Sequence, residues 1–370
     1  ADNVTFADGG ATDMTLDLAD AADLTISTAN GNIAIDVDIA GTSEGVATDV
    51  VLNAGTGTVS IEGISSDIND VTLTGNGITL NDDITLTAFT PSGEGAVEDK
   101  GDFKATGPVE LATTNIDINT SNGSGGTVTF FGNTSTVESA DSNRTLTILS
   151  GGGAVDFDAA IGGTNNEHLG GLSINATGSG AGTIAIKAVG DGDDLGGVIG
   201  DVAIGNTSTA SVTFDGTIYK FGNPASGSNT VVVTSTDTGQ TIDFTAGAAA
   251  TFESFGGDAD TAGSAISFNT GTVELAASTN LIIESRGGAV SVKGIMGDSS
   301  ETVTIDVDKD AGAESSTETI TIGTDGIGTG DEIGAVGLTA ADGVTLTGNI
   351  TLANTDGANL TVTGPAKIDG

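Results

Sequence analysis

Residues Leu24–Gly41 read LTISTANGNIAIDVDIAG, and related phrases return at Leu146–Gly163 (LTILSGGGAVDFDAAIGG) and Leu281–Gly297 (LIIESRGGAVSVKGIMG). Each phrase contains an apolar-x-apolar triplet, a glycine turn and a second apolar stretch in the same order. Internal repetition of a β-rich pattern is typical of an elongated stack of similar units. The phrases therefore predict a repeat protein, and such stacks serve more often as scaffolds than as enzymes.

The repetition extends well beyond these phrases. Leu24 and Leu281 are separated by 257 residues, and the same 257 residues separate Pro108 from Pro365. A constant offset at both ends indicates one architectural unit whose turns vary in length. We therefore expect one continuous elongated body of three imperfect super-repeats, at residues 1–112, 113–254 and 255–370.

Short alternating triplets recur about every ten residues between Gly, Asn and Asp turns. Their apolar residues alternate with Thr, Ser or acidic residues, which is the period of a half-buried strand. We expect an all-β protein, a parallel β-helix (β-solenoid) of two or three strands per coil, with almost no helix. The clearest triplets in the first third begin at Val4, Met14, Leu24, Ile33, Val59, Val71, Ile78, Ile84, Val109 and Ile116.

Tandem β-sandwich domains are the alternative fold, because each super-repeat has a plausible length for one sandwich. The composition disfavours this alternative. The chain has no Trp and one Tyr, which are residues that sandwich cores often use, and it has only 4 Pro to mark linkers.

The charge of the chain is strongly acidic. Asp and Glu number 51 against 9 Lys and Arg, which gives a formal net charge of −42 at pH 7. Such a field repels nucleic acid and anionic lipid, so neither nucleic-acid binding nor membrane insertion is expected. The chain has no Cys, which fits a bacterial protein that works at the cell surface or in the extracellular medium without disulfides.

Residues that could support catalysis are few. His168 is the single histidine, and no G-x-S-x-G elbow is present to form a nucleophile site around it. We expect His168 to lie in a surface loop. The glycosidase pattern of two carboxylates has little weight in so acidic a chain. The sequence predicts a protein that is not an enzyme and requires no cofactor.

Calcium is the one cofactor that the sequence indicates. Asp306, Asp308 and Asp310 have the alternating spacing with which a calcium loop begins. The loop pattern is incomplete, because Ala311 stands where the EF-hand has Gly and Thr317 where it has Glu. These three residues are the candidate metal ligands, and solvated acids at a strand edge are the alternative interpretation.

The two ends of the chain, Ala1–Phe6 and Leu360–Ile368, resemble ordinary repeat strands without a capping helix. Open strand edges promote pairing with other chains. We therefore expect the protein to bind copies of itself head to tail, as an extending homopolymer. The alternative is that both ends are interior strands of one very long array. Either arrangement produces a fibre.

The segment from Gly152–Phe157 (GGAVDF) through Ile161–Gly163 to Leu169–Ala176 (LGGLSINA) resembles filamentous-haemagglutinin-like and autotransporter-passenger-like bacterial exoproteins. The resemblance lies in the general pattern of short strands and glycine turns, not in a specific motif, and it extends over all three super-repeats. It implies a right-handed parallel β-helix that is exported and serves as a surface adhesin, fibre or matrix layer. Two functions follow as hypotheses: a structural extracellular filament or surface layer, and an adhesin rod that presents loops to host cells or cell-surface glycans.

Overall fold

The structure is a computed structural model. It describes residues 2–7, 9, 14–42, 47–89, 100–122, 125–132, 135–141, 143–162, 167–178, 180–190, 197–222, 229–255, 265–307, 318–354 and 357–369. These residues form strands and turns and contain no helix, which confirms the predicted all-β class.

Short strands follow one another along the whole described chain. The first twelve are β1 (Val4–Ala7), β2 (Thr15–Leu18), β3 (Leu24–Ser27), β4 (Ile33–Asp36), β5 (Asp38–Gly41), β6 (Val50–Asn53), β7 (Val59–Ile61), β8 (Ile64–Ser66), β9 (Val71–Thr74), β10 (Ile78–Leu80), β11 (Ile84–Thr85) and β12 (Phe103–Thr106). The next twelve are β13 (Val109–Leu111), β14 (Ile116–Asn119), β15 (Val128–Phe131), β16 (Thr136–Ser139), β17 (Thr145–Leu149), β18 (Val155–Ile161), β19 (Gly171–Ile174), β20 (Thr183–Val189), β21 (Val202–Ile204), β22 (Ser211–Phe214), β23 (Ile218–Gly222) and β24 (Thr230–Thr234). The last twelve are β25 (Gln240–Phe244), β26 (Ala250–Phe255), β27 (Ala265–Thr270), β28 (Thr272–Leu275), β29 (Leu281–Ser285), β30 (Val290–Met296), β31 (Thr302–Asp306), β32 (Thr319–Ile327), β33 (Ala335–Thr339), β34 (Gly343–Leu346), β35 (Asn359–Thr363) and β36 (Ala366–Ile368).

Three strands make one coil, and each strand pairs in parallel with its counterpart in the next coil. Thus β1 pairs with β4, β2 with β5 and β3 with β6. Column 1 is the series of strands that are paired one after another beginning with β1. Columns 2 and 3 are the corresponding series that begin with β2 and β3. The long strands β18 and β20 bend from column 3 into column 1, and β30 and β32 bend from column 2 into column 3. The fold is a parallel β-solenoid, so the tandem-sandwich alternative is wrong.

The core is a column of apolar side chains that point into each coil. In column 2, isoleucines stack in register from one coil to the next, and each is at most 1% exposed: Ile39, Ile64, Ile84, Ile118, Ile148, Ile174 and Ile204. Full burial of such a side chain contributes roughly 1.5–3 kcal/mol. In column 3 the ring of Phe130 stacks on that of Phe157, with centroids 4.7 Å apart. The alternation of the triplets therefore sets the inside and outside of every coil.

Glycine is required at one corner of the stack because successive coils approach closely there. A Cβ on Gly153 would overlap the carbonyl oxygen of Gly126, and a Cβ on Gly182 would overlap that of Gly153. Only glycine lacks this atom, so the glycine-rich turns allow the coils to stack at the spacing of strands in a sheet.

The three related phrases do not occupy equivalent places in the coil. Leu24 begins β3 in column 3, Leu146 lies in β17 in column 2, and Leu281 begins β29 in column 1. The unit that repeats in space is the three-strand coil. The super-repeat boundaries at residues 112 and 254 remain a prediction from the sequence.

Candidate functional site

The predicted calcium ligands are described only in part. Asp306 is the last residue of β31, whereas Asp308 and Asp310 lie outside the described residues. Asp306 is half-buried and stands in register with Glu284 in the preceding coil. Glu284 is in turn in register with Glu253. Column 1 therefore carries a row of acidic side chains at this point.

This acidic row is balanced at one end by a cation. Arg286 Nη2 lies 3.6 Å from Glu253 Oε1. Within the described part of the chain, no three acidic or histidine side chains converge as a group that could hold a metal ion. The calcium site thus stays a prediction that depends on Asp308 and Asp310.

A different set of acidic residues links successive coils by hydrogen bonds at the start of column 3. Asp23 Oδ1 accepts the main-chain N–H of Asp49 at 3.2 Å, and Asp49 Oδ1 accepts that of Asp70 at 3.3 Å. Asp70 Oδ1 accepts the N–H of Asp102 at 2.7 Å, and Asp102 Oδ1 accepts that of Thr127 at 2.7 Å. A hydrogen bond to a charged acceptor contributes about 1.5–3 kcal/mol. These carboxylates hold the strands in register.

Asparagine side chains accept equivalent hydrogen bonds between coils elsewhere in the stack. The amide oxygen of Asn3 accepts the N–H of Asn32 at 2.9 Å, and that of Asn32 accepts the N–H of Thr58 at 3.0 Å. Later in column 1, Asn280 accepts the N–H of Thr302 at 2.8 Å. Sequence reasoning missed these bonds. The signal was the Asp or Asn that stands directly before many of the apolar triplets.

Like-charged side chains also meet in register on the outer surface. Asp243 in β25 stands opposite Glu274 in β28. Burial, and then the neighbouring charge of Glu274, raise the pKa of Asp243 to about 6. Burial likewise raises the pKa of Glu138, which stands in register with Glu110. Perturbed carboxyls of this kind mark functional sites in some proteins and tight structural packing in others.

Glu301 is a buried carboxylate with many donors. It is 1% exposed and accepts the N–H groups of Ser278 at 2.9 Å and Asp298 at 2.6 Å. Ser300 donates both its N–H, at 3.1 Å, and its hydroxyl, at 2.8 Å. Burial alone would raise the pKa of Glu301, but these hydrogen bonds outweigh it and lower the pKa to about 2. Glu301 anchors a turn.

The expectation that His168 lies on the surface is wrong. Its side chain is 5% exposed. The next residue, Leu169, is fully buried and forms a parallel bridge with Val198. Because Leu169 belongs to the core, the adjacent His168 is buried with it. The polar residues of the turn alone do not predict this burial.

One groove lies along the glycine-rich corners and has a volume of about 520 Å³. It is lined by small and neutral residues, namely Ser121, Leu149, Gly151, Gly152, Asn175, Thr177, Gly178, Gly180 and Ala181. The described lining offers neither a charged group nor an aromatic platform. It therefore supplies no acid–base pair for catalysis.

The end of the stack formed by β1, β2 and β3 exposes residues that are core elsewhere. Phe6 is 37% exposed, although its register partner Ile35 is fully buried. Leu16 and Leu24 are partly exposed, while their partners Ile39 and Val50 are fully buried. No coil covers the other side of these strands in the described structure, so their inward faces meet solvent.

The opposite end, formed by β35 and β36, has the same property. Leu360 is 43% exposed, and Ile368 is 79% exposed. Their register partners, Val336 and Leu346, are 1% and 9% exposed. Both ends therefore combine an open strand edge with uncovered apolar side chains. These two surfaces, the β1–β3 end and the β35–β36 end, are the candidate functional site.

Comparison with known proteins gives no relative. No protein-family model matches the chain, and no curated protein or solved structure is detectably similar to it. What is established is the class that the fold defines, a parallel β-solenoid repeat protein, which is compatible with a β-helix repeat exoprotein. Among the described residues there is no helix that is long and apolar enough to cross a membrane.

Proposed function

We propose that this protein is an extracellular structural protein whose solenoids associate end to end into a filament or a surface layer. The observation that supports the proposal is the exposure of core-type side chains at both ends of the stack. Leu360 and Ile368 at one end, and Phe6 at the other, belong to positions that the adjoining coil buries. Such edges are templates for pairing with another chain.

The charge distribution favours contacts at the ends over contacts between the sides. A formal charge of −42 on a chain with 9 basic residues makes the outer walls strongly acidic. Parallel rods of this kind repel one another at low ionic strength. At an end, by contrast, hydrogen bonds of the strand edges and burial of apolar side chains oppose that repulsion. Growth along the axis is therefore the favoured mode.

Export to the cell surface is part of the proposal. It is supported by the absence of Cys and by the acidic, β-rich composition. Fractionation of the source cells, followed by surface proteolysis of intact cells, tests this location. Protection of the protein in intact cells would contradict it.

The assembly test compares two variants by negative-stain microscopy. In Leu360→Lys/Ile368→Lys, charges replace the apolar side chains of one end, and we expect filaments to disappear. The control is Phe131→Lys, because Phe131 is 51% exposed on the side of the stack. This variant changes the same kind of residue without touching an end, and we expect it to form filaments as the wild type does.

The proposal fails if the wild-type protein remains as single rods at high concentration. It also fails if the end variant and the side variant form filaments equally well. Single rods that bind cells or glycans through their loops would instead support the adhesin function.

A further inference from the structure

The following inference rests on the proposed end-to-end assembly and concerns its geometry. We infer that the partner of each β35–β36 end is the β1–β3 end of a second copy of this chain, joined in one register. In that register Leu360 stacks on Val4 and Ile368 stacks on Leu16. The joint then reproduces the contacts between two coils inside the solenoid.

The direction of the strands selects opposite ends as partners. All ladders in the stack are parallel, so each coil offers one kind of edge to the coil before it and the complementary kind to the coil after it. In the described structure β35 and β36 pair only with strands of the preceding coil, and β1, β2 and β3 pair only with strands of the following one. Two copies placed head to tail therefore join complementary strand edges.

Asparagine fixes the register in column 1. Asn3 and Asn280 each stand directly before a stacked apolar residue, and each accepts the N–H of the corresponding residue in the next coil. Asn359 stands in the same way before Leu360. Its Nδ2 donates to the carbonyl of Gly357 at 3.1 Å, so its Oδ1 is the atom left to accept. In the second copy the matching donor is the N–H of Asn3.

The apolar side chains agree with this register. When Asn359 meets Asn3, Leu360 falls on Val4 and Val362 falls on Phe6. In column 2, Leu346 stacks under Ile368 and Leu16 stacks on Ile39. Placing Ile368 on Leu16 continues that inward ladder. In columns 1 and 2 these apolar residues of one end then meet apolar residues of the other.

One basic side chain of the β35–β36 end lies close to an acidic side chain of the β1–β3 end in this register. No Lys or Arg precedes Lys100 in the sequence, so the β1–β3 end carries only acidic side-chain charges. The β35–β36 end carries Lys367, which is exposed and pairs with Asp369. With Ile368 on Leu16, Lys367 lies on Thr15, diagonal to Asp17 on the same outer surface. Diagonal neighbours of this kind lie within reach of a long side chain.

Disulfide trapping tests the register, since the native chain has no Cys. Thr5 and Thr361 are both exposed, and in the inferred joint they face each other. Adjacent strands lie about 4.8 Å apart, within the range of Cα separations that a disulfide spans. The variant Thr5→Cys/Thr361→Cys should therefore oxidise to dimers, trimers and longer ladders on non-reducing gels. Reductant should return them to monomers.

The matched control shifts the register by two residues. In Thr5→Cys/Thr363→Cys the two positions lie diagonally, about 7–8 Å apart, and we expect at least tenfold slower cross-linking. Thermal unfolding of both reduced variants checks that these exposed substitutions leave the fold intact.

The outcomes separate this inference from the proposed function. Filaments of Thr5→Cys/Thr363→Cys that cross-link faster than those of Thr5→Cys/Thr361→Cys would overturn the register while leaving end-to-end assembly in place. Cross-linking through Thr5→Cys alone would indicate that like ends meet, which also overturns it. If no variant forms either filaments or cross-links, both the inferred register and the proposed end-to-end assembly are rejected.

Discussion

The carboxylate of Asp70 accepts a hydrogen bond from the main-chain N–H of Asp102 at 2.7 Å, across 32 residues of sequence. Between them lie a full coil and several turns. The bond belongs to a row of aspartates that binds each coil to the next at the start of column 3. It shows that some of the acidic residues have a structural role.

Removal of this acceptor should weaken the stack locally. In Asp70→Ala the N–H of Asp102 loses its partner, and we expect a loss of about 1–3 kcal/mol in the free energy of unfolding. Asp70→Asn keeps an acceptor oxygen, as Asn32 does in column 1, and should lose less, about 1 kcal/mol at most. Urea denaturation measures both. Asp36→Ala, at an exposed outer position, is the control; an equal loss there would contradict the role of Asp70.

Adjacent phenylalanines on opposite faces of β15 give a second test. Phe130 is 1% exposed and packs between Phe103 and Phe157, whereas Phe131 is 51% exposed. Phe130→Ala leaves a cavity in the core and should cost about 3–5 kcal/mol. Phe131→Ala should cost about 0.5 kcal/mol or less. Similar unfolding midpoints for the two variants would show that the assigned faces are wrong.

Glu301 should make stability depend on acid pH. The pKa of its carboxyl is about 2 in the folded protein against an ordinary value of 4.5. Because the folded value is lowered, the stabilisation is complete above about pH 4.5 and is lost as the pH falls towards 2. Glu301→Gln should therefore lower the unfolding midpoint at pH 7 and have a much smaller effect near pH 2.5. Thermal unfolding across this range measures it.

The exposed neighbour Glu332 provides the control for that experiment. Glu332→Gln changes the same group without the buried donors, so its midpoint should follow the wild type at every pH. An acid profile of Glu301→Gln parallel to that of the wild type would contradict the anchoring role of Glu301.

Asp243 should have the opposite effect of pH. Burial and Glu274 raise the pKa of Asp243 to about 6, above its ordinary value of 3.8. The folded protein therefore holds the proton more tightly than the unfolded chain, so the penalty of the charge is present above pH 6 and is relieved as the pH falls towards 4. Asp243→Asn should raise the unfolding midpoint by roughly 2–4 °C at pH 7, with a smaller gain at pH 4.5.

A matched variant again isolates the cause. Asp215 is exposed on a nearby turn, and Asp215→Asn should show little of this pH-dependent gain. Glu274→Gln removes the like charge opposite Asp243 and should give part of the gain. If Asp243→Asn is destabilising at pH 7, the carboxylate has a stabilising partner and the interpretation is wrong.

The local pattern was sufficient to predict the strands. Triplets such as Val71-Thr72-Leu73 alternate strictly, and the structure places this one in β9 with Val71 and Leu73 fully buried. The glycine turns between the triplets also predicted the stacked coils. The alternation of apolar and polar residues and the preference of glycine for turns depend on near neighbours in the sequence. Both can therefore be recognised without knowledge of the fold.

The register between strands of successive coils could not be predicted in the same way. The phrases at Leu24, Leu146 and Leu281 look equivalent, yet they lie in three different columns, because coil length varies with the turns. One coil takes 19 residues, from Val59 to Ile78, and another takes 34, from Ile84 to Ile118. A shift of a few residues per coil moves a repeated phrase to another side of the solenoid.

The sequence by itself determined the all-β class, the inside and outside of each strand, and the acidic character of the surface, because these depend on local alternation and on composition. Only the tertiary structure decided which residues meet across coils. It paired Asp70 with Asp102, buried His168 beside Leu169, and left Leu360 and Ile368 uncovered at one end. Those relationships arise from parallel pairing between residues that are tens of positions apart, and the pairing depends on the summed lengths of all the intervening turns.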